Sequence, residues 1–468
     1  MIPAATHPLA GPPASAQPDS DRGPGRCVLL FMLGSGMLWL VLSAVLALIS
    51  SIQVHSPQYL SDLEFLTHGR AQALAETAFV YGWIGNCGPA LALWILCRLA
   101  GEPLRPSRWA GTGAFFWNLG VAIGLAGIAF GGVTAIPMLE LPRYVQPLLF
   151  ASYAAVALAG VTAWTGRRRE VMFASHWYAV AALFLFPWLF SVAQVMLLWF
   201  PVRGVLQAVV AGWFAQGLWT LWIAPLALAG AYYVVPRVSG KVLPAYDTAA
   251  LGFWCLLVLG AWTGGRHLIG GPAPAWIATV AIGASVILLF HYIVVFTNLR
   301  PGFAGGATSL RFIAFGVAAY VLGGLVDGVT AIRGVAVLTQ FTHFDEAQRQ
   351  FALHGAATMM LFGTLYFALP RIAGRPWASR GLVRGHFALY ALGILLLAFC
   401  LGTAGWIQGS ALNDPKTAFA DIAILTRGWL LGATAAQTLL LAADIFLAVN
   451  FFTTLACAPQ GGDKEGAP

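Results

Sequence analysis

The feature that most limits what this chain can fold into is a series of apolar runs, each long enough to cross a bilayer. They lie near residues 27–52, 70–99, 109–132, 144–165, 174–200, 205–236, 246–269, 274–299, 310–334, 346–370, 382–408 and 422–456. A helix of about 20 residues spans roughly 30 Å of hydrocarbon. Within that layer the backbone finds no water, so only helices and closed barrels are stable. These runs are too long for barrel strands and lack their alternation. The chain therefore reads as an all-α, polytopic membrane protein of about twelve transmembrane helices. Only 9% of its 468 residues are charged, against about a quarter in a soluble domain, and this excludes a soluble fold.

The formal net charge of +8 would suggest nucleic acid in a soluble protein. Here the basic residues sit in short loops, where they report topology instead. Placing the N-terminus inside puts Arg98, Arg105, Arg108, Arg167, Arg168, Arg169, Arg237, Lys241, Arg371, Arg375, Arg380 and Arg384 on the cytoplasmic side, with others like them. Both termini are thus expected in the cytoplasm, in a bacterial inner membrane. Residues 1–26 read as a disordered tail, 27–458 as the membrane domain and 459–468 as a short polar tail. No nucleic-acid partner is expected. The six cysteines form no CxxC or CxxCH, which points away from zinc and from c-type heme; they read as small core residues. No inverted repeat of the transporter kind is visible.

Ionisable residues inside membrane spans are costly, so each is a functional candidate. They are Glu76, Arg266, His267, Asp327, Arg333, Arg349, His354 and Asp444, and the topology gathers most of them in the outer half of the bundle. Two readings stay open: a mutually compensated structural network, or a transport or proton path. His176 and His291 read as interfacial or core residues, His386 as a snorkelling residue near a helix start, and Tyr246 as an interfacial aromatic. No HxH, HxxxH or HExxH pair occurs, so a metal site would need ligands from distant helices.

The segments GRAQALAETAFVYGW at 69–83, GTLYFALPRIAGR at 363–375, GHFALYALG at 385–393 and AGWIQG at 404–409 resemble the catalytic subunit of heme–copper oxidases, nearest the cbb-type cytochrome c oxidases. The resemblance implies a twelve-helix, subunit I-like bundle, heme b and copper as cofactors, and partners in a respiratory complex. Carried over by position, the low-spin heme ligand on helix 2 falls at Ala75 and a copper ligand on helix 6 at Gln216. The paired copper ligands fall at Arg266 and His267, and the HxH pair on helix 10 at Gln348 and Gln350. A glutamate on helix 9 falls at Val326, beside Asp327. Of these ligands only His267 is retained.

Heme iron needs an axial donor such as imidazole, copper needs several donors in fixed geometry, and an always-charged guanidinium opposes a cation beside it. His354, one turn beyond Gln350, and His68 are the alternative heme ligands. On this reading no cofactor is bound, no residue is catalytic, and the chain is a non-catalytic structural, docking or assembly subunit. Its partners are membrane lipids and other respiratory-complex subunits, such as a catalytic oxidase or cytochrome c subunit. Two alternatives stay open. One is an active terminal oxidase, reducing oxygen or nitric oxide with shifted ligands. The other is a channel or transporter using Glu76, Arg266, Asp327, Arg333 and Arg349.

Overall fold

The computed structural model describes residues 24–105, 107–166 and 172–456. Twelve helices among them are long and apolar enough to cross a membrane: α1 Gly25–His55, α2 His68–Ala100, α3 Ser107–Ala129, α4 Gln146–Thr165, α5 Ala174–Trp199, α6 Val205–Ser239, α7 Tyr246–Leu268, α8 Ala275–Ala304, α9 Thr308–Thr330, α10 His343–Ala373, α11 Arg380–Leu412 and α12 Phe419–Ala456. No strand occurs among the described residues. The tails expected at 1–26 and 459–468 lie almost wholly outside the described residues, as do Arg167, Arg168 and Arg169. The end of the first tail is corrected, because residues 25 and 26 are already helical. An even number of crossings puts both ends of the bundle on one face, here the terminus face; the other is the far face.

Three helices form the centre. α2, α6 and α10 are almost wholly buried, while the other nine bury less than half of their apolar stretch and turn side chains such as Phe184, Trp188, Phe399 and Ile424 outward. With lipid as apolar as the side chains, close backbone approach is what holds helices together. A Cβ at Gly82 of α2 would lie 2.6 Å from the Trp39 side chain of α1, and one at Gly85 2.8 Å from the Trp117 ring of α3. The large rings therefore seat on bare backbone.

The inner helices share a local design at the terminus face. Each carries an aromatic residue, an arginine four positions on, and a glycine three further: Trp94–Arg98–Gly101, Tyr233–Arg237–Gly240 and Phe367–Arg371–Gly374. The guanidinium carbons stand 5.7, 4.2 and 3.6 Å from their ring centres, within cation–π range. The glycines have φ of 73°, 66° and 68°, the left-handed close of a helix C-terminus. This repeat is direct and not inverted: it recurs every fourth helix and is marked by three positions only.

Each inner helix also widens into a π-helical stretch, at Ala78–Ile84, Leu218–Ile223 and Phe351–Thr358, a geometry frequent at functional sites. His386 lies more than a turn inside α11 and is fully buried. Its Nδ1 is 2.8 Å from the Tyr366 hydroxyl of α10, and its ring lies 4.6 Å from that of Phe362. The expected snorkelling is corrected, because the side chain faces α10 and not the interface. His176 and His291 are core residues.

Candidate functional site

The site begins with two glycines. Gly212 of α6 and Gly264 of α7 bring their backbones together so closely that a Cβ on Gly264 would overlap the Gly212 carbonyl. Next to this contact α7 tightens into 3₁₀ winding over Gly260–Leu268. Arg266 and His267 are thereby held opposite Gln216 of α6, and all three line one cavity of about 1300 Å³ in the far half of the bundle.

Arg266 does not point into that cavity unpaired. Its Nη2 is 2.5 Å from the Asp327 carboxylate of α9, and Nη1 donates to the Asp327 carbonyl at 3.3 Å. Its Nε donates to His267 Nε2 at 3.4 Å, and the Gln340 amide donates to the His267 carbonyl. A second ionic link crosses between the inner helices. The Arg349 guanidinium of α10 donates to Glu76 of α2 and to Glu346 on its own helix. Gln72 supports Glu76 at 3.1 Å, and Gln350 supports Glu346 at 2.6 Å.

The loop between α3 and α4 closes one side of the cavity. Met138 there adopts φ 64°, a conformation strained for a residue with a side chain. The Met138 amide donates to Glu140 at 2.8 Å, and the Tyr81 hydroxyl donates to the Met138 carbonyl at 2.6 Å. Phe341, also at the cavity rim, has φ 60°, and its amide donates to Asp345 at 2.6 Å. Both strained residues of the rim are thus fixed by a nearby carboxylate. Burial, reinforced by Glu76, pushes the Glu140 carboxyl up to about 8. On the side toward the terminus face, the His291 Nδ1–H donates to the Gly252 carbonyl at 2.8 Å and Nε2 is 2.9 Å from the hydroxyl of Tyr320. Tyr320 and Tyr292 line the cavity.

Of the residues singled out in the sequence, Glu76, Gln216, Arg266, His267, Val326, Asp327, Gln348 and Arg349 converge on this cavity. Ala75, Gln350, His68 and His354 do not line it. Gln348 faces the cavity and donates to Thr330 at 3.0 Å. Gln350, two residues on and so about 200° around the helix, turns away. His354 stacks on Phe79 with ring centres 4.0 Å apart, and its Nδ1 is 2.7 Å from the Tyr390 hydroxyl. His68 is exposed beside Ser50. Arg333 is exposed and donates to Thr279 at 3.2 Å. Tyr246 accepts from the Ala174 amide at 2.8 Å at the opposite end of the bundle. Asp444 is buried on α12, apart from the cavity. Glu140, Glu346 and Asp345 were missed as site residues. For Glu140 a signal exists: VTAIPMLELP at 133–142 is too apolar for an exposed loop.

The family described as cytochrome c and quinol oxidase polypeptide I matches residues 27–439. Cytochrome c oxidase subunit 1 of Rhodobacter capsulatus is 23% identical, over 90% of this chain and 84% of its own length. The Cbb3-type cytochrome c oxidase subunit CcoN1 of Stutzerimonas stutzeri is 22% identical, over 81% and 84%. A solved heme–copper terminal oxidase dimer shares the fold with a TM-score of 0.77 at 12% identity, over 93% of this chain and 85% of that one.

These matches correct the expectation that no cofactor is bound. The matched family implies heme and copper, and the bundle buries His176, His291 and His386. Where the resemblance places the copper ligands stand one amide, one guanidinium tied to Asp327, and one imidazole whose Nε2 accepts from that guanidinium. Among the described residues no three His, Cys, Asp or Glu side chains gather as a metal set. This donor set does not fit copper in that position. Nor do Ala75 and Gln350 offer the imidazoles of a bis-histidine heme.

Proposed function

The chain belongs to the cytochrome c and quinol oxidase polypeptide I family, and from that premise we propose that it is a subunit I-like component of a bacterial respiratory membrane complex that does not itself reduce oxygen or nitric oxide. The observation that carries the reading is the Arg266–Asp327 pair, at the position where the family's paired copper ligands fall. A guanidinium stays charged at any physiological pH, and Asp327 compensates it locally. A second cation placed there would meet that charge across a medium of low dielectric constant.

The scaffold, in contrast, is kept in full. The three inner helices, their arginine–aromatic ends and the nine outer helices give a rigid body with an extensive apolar perimeter. A structural, docking or assembly role needs these and no reaction centre. Basic residues gathered at the terminus face support its placement in the cytoplasm.

The test is oxygen and nitric oxide consumption by the purified protein, supplied in turn with reduced cytochrome c and a quinol. No consumption above the protein-free rate is expected; steady turnover would sink the reading. Affinity purification after crosslinking in native membranes is expected to bring down other respiratory subunits.

A further inference from the structure

We propose that the terminus face carries a binding site for a compact polyphosphate anion, formed where the three inner helices end. This goes beyond the respiratory reading and does not depend on it. Arg371 stands 22 residues along α10 from Arg349, about 33 Å, so the site is separate from whatever occupies the far-half cavity.

The first argument is convergence. Trp94, Tyr233 and Phe367 do not support their arginines separately, because each ring packs on the other two. Their centres are 5.5, 6.1 and 6.2 Å apart. Arg98, Arg237 and Arg371 rest on these rings, each one turn nearer the terminus face. Three guanidinium groups from three helices are thus gathered over one aromatic cluster. Arg26 of α1 joins them. Its Nη2 donates to the Ala373 carbonyl at 2.8 Å, and it lines a small cavity of about 30 Å³ together with Arg98. Like charges held close raise one another's energy, and an anion placed among them relieves it.

The second argument is the shortage of counter-charge. Among the described residues at this face the acidic side chains are Glu102 and Asp247, and Lys and Arg outnumber them several-fold. Glu102 lines the small cavity beside Arg26 and Arg98 and offsets one charge. Each helix C-terminus adds about half a negative charge, which a full guanidinium charge exceeds. A guanidinium has five N–H donors, so one that already has a partner, as Arg371 has in the Phe367 carbonyl at 2.5 Å, can still take an oxyanion.

Arg237 and Arg371 are exposed, and there is room beside them. An added Cβ at Gly101, Gly240 or Gly374 would meet nothing within 4 Å. Stacking on a ring fixes each guanidinium before a ligand arrives, which lowers the cost of binding. Arginine forks match phosphate oxygens, and an anion of three or more charges answers three guanidinium groups where one carboxylate does not. Inorganic polyphosphate and the phosphate tail of a nucleotide share this chemistry.

The experiment is calorimetric titration of the full chain, in nanodiscs of zwitterionic lipid and without magnesium, with inorganic tripolyphosphate and with ATP. Saturable tripolyphosphate binding is expected, weakened at least tenfold by Arg237→Gln. It should be unchanged by Arg384→Gln, which removes an exposed charge on the outer helix α11. ATP affinity equal to that of tripolyphosphate supports a nucleotide tail as the ligand, and weaker ATP binding supports the free anion. No saturable binding, equal weakening by Arg237→Gln and Arg384→Gln, or equally tight binding of a hexaglutamate peptide would each overturn the proposal. Arg371→Gln, with the same expected tenfold loss, serves if Arg237→Gln fails to fold. Binding is read without turnover, so this proposal and the respiratory reading fail separately.

Discussion

Arg266 of α7 and Asp327 of α9 meet at 2.5 Å, and this one ion pair fixes the far end of α7 to its neighbour but one. A buried pair contributes little net stability over an apolar replacement, yet breaking one partner strands the other charge. Asp327→Asn is therefore expected to destabilise the protein by roughly 3 kcal/mol. The double change Arg266→Met with Asp327→Leu is expected to recover most of that. Thermal unfolding of the detergent-solubilised protein measures both, and equal losses in the two variants would show that charge stranding is not the cause.

Glu140 gives a pH dependence with a definite sign. Its folded carboxyl titrates near 8 against an ordinary value of 4.5, so the folded chain keeps a proton that the unfolded chain has released. Stability from this group falls as pH rises from about 4.5 to about 8 and then levels off. Glu140→Gln is expected to raise the melting temperature relative to the natural chain more at pH 9 than at pH 5. A parallel shift at both pH values contradicts the assignment.

The Gly212–Gly264 contact leaves no room for a methyl group. Gly264→Ala is expected to push α6 and α7 apart at a cost of about 1–3 kcal/mol. It should also raise the solvent accessibility of a cysteine introduced at Gln216, as read by thiol labelling. Unchanged labelling with unchanged stability would mean that the helices are not pressed together there.

The Glu76–Arg349 link joins α2 and α10 one residue away from Ala75 and from Gln350. Replacing both by histidine is expected to add a low-spin, bis-imidazole heme signal to the absorbance spectrum, compared with the natural chain. A folded double variant with no added signal would show that these two positions do not oppose each other across a heme.

Much of this molecule is legible without coordinates, because a bilayer imposes a simple rule. Every crossing must be a long apolar helix, so the number of helices, their approximate limits and the cost of Glu76, Asp327 or Arg349 follow from residue order. Pairing is another matter. Residue order offers Arg266 several carboxylates, and the fold pairs it with Asp327 and not with Glu76. Glu140 sits outside every run long enough to cross a bilayer, and only the apolar character of residues 133–142 around it points inward. It enters the site because the loop folds back over α2 and Tyr81 holds Met138 in a strained conformation. Residue order thus determined which segments lie in lipid, through the free energy of an unpaired backbone in hydrocarbon. The tertiary structure alone decided which charges compensate one another and which are left to face the cavity, because that depends on distances of a few ångströms between helices far apart in the chain.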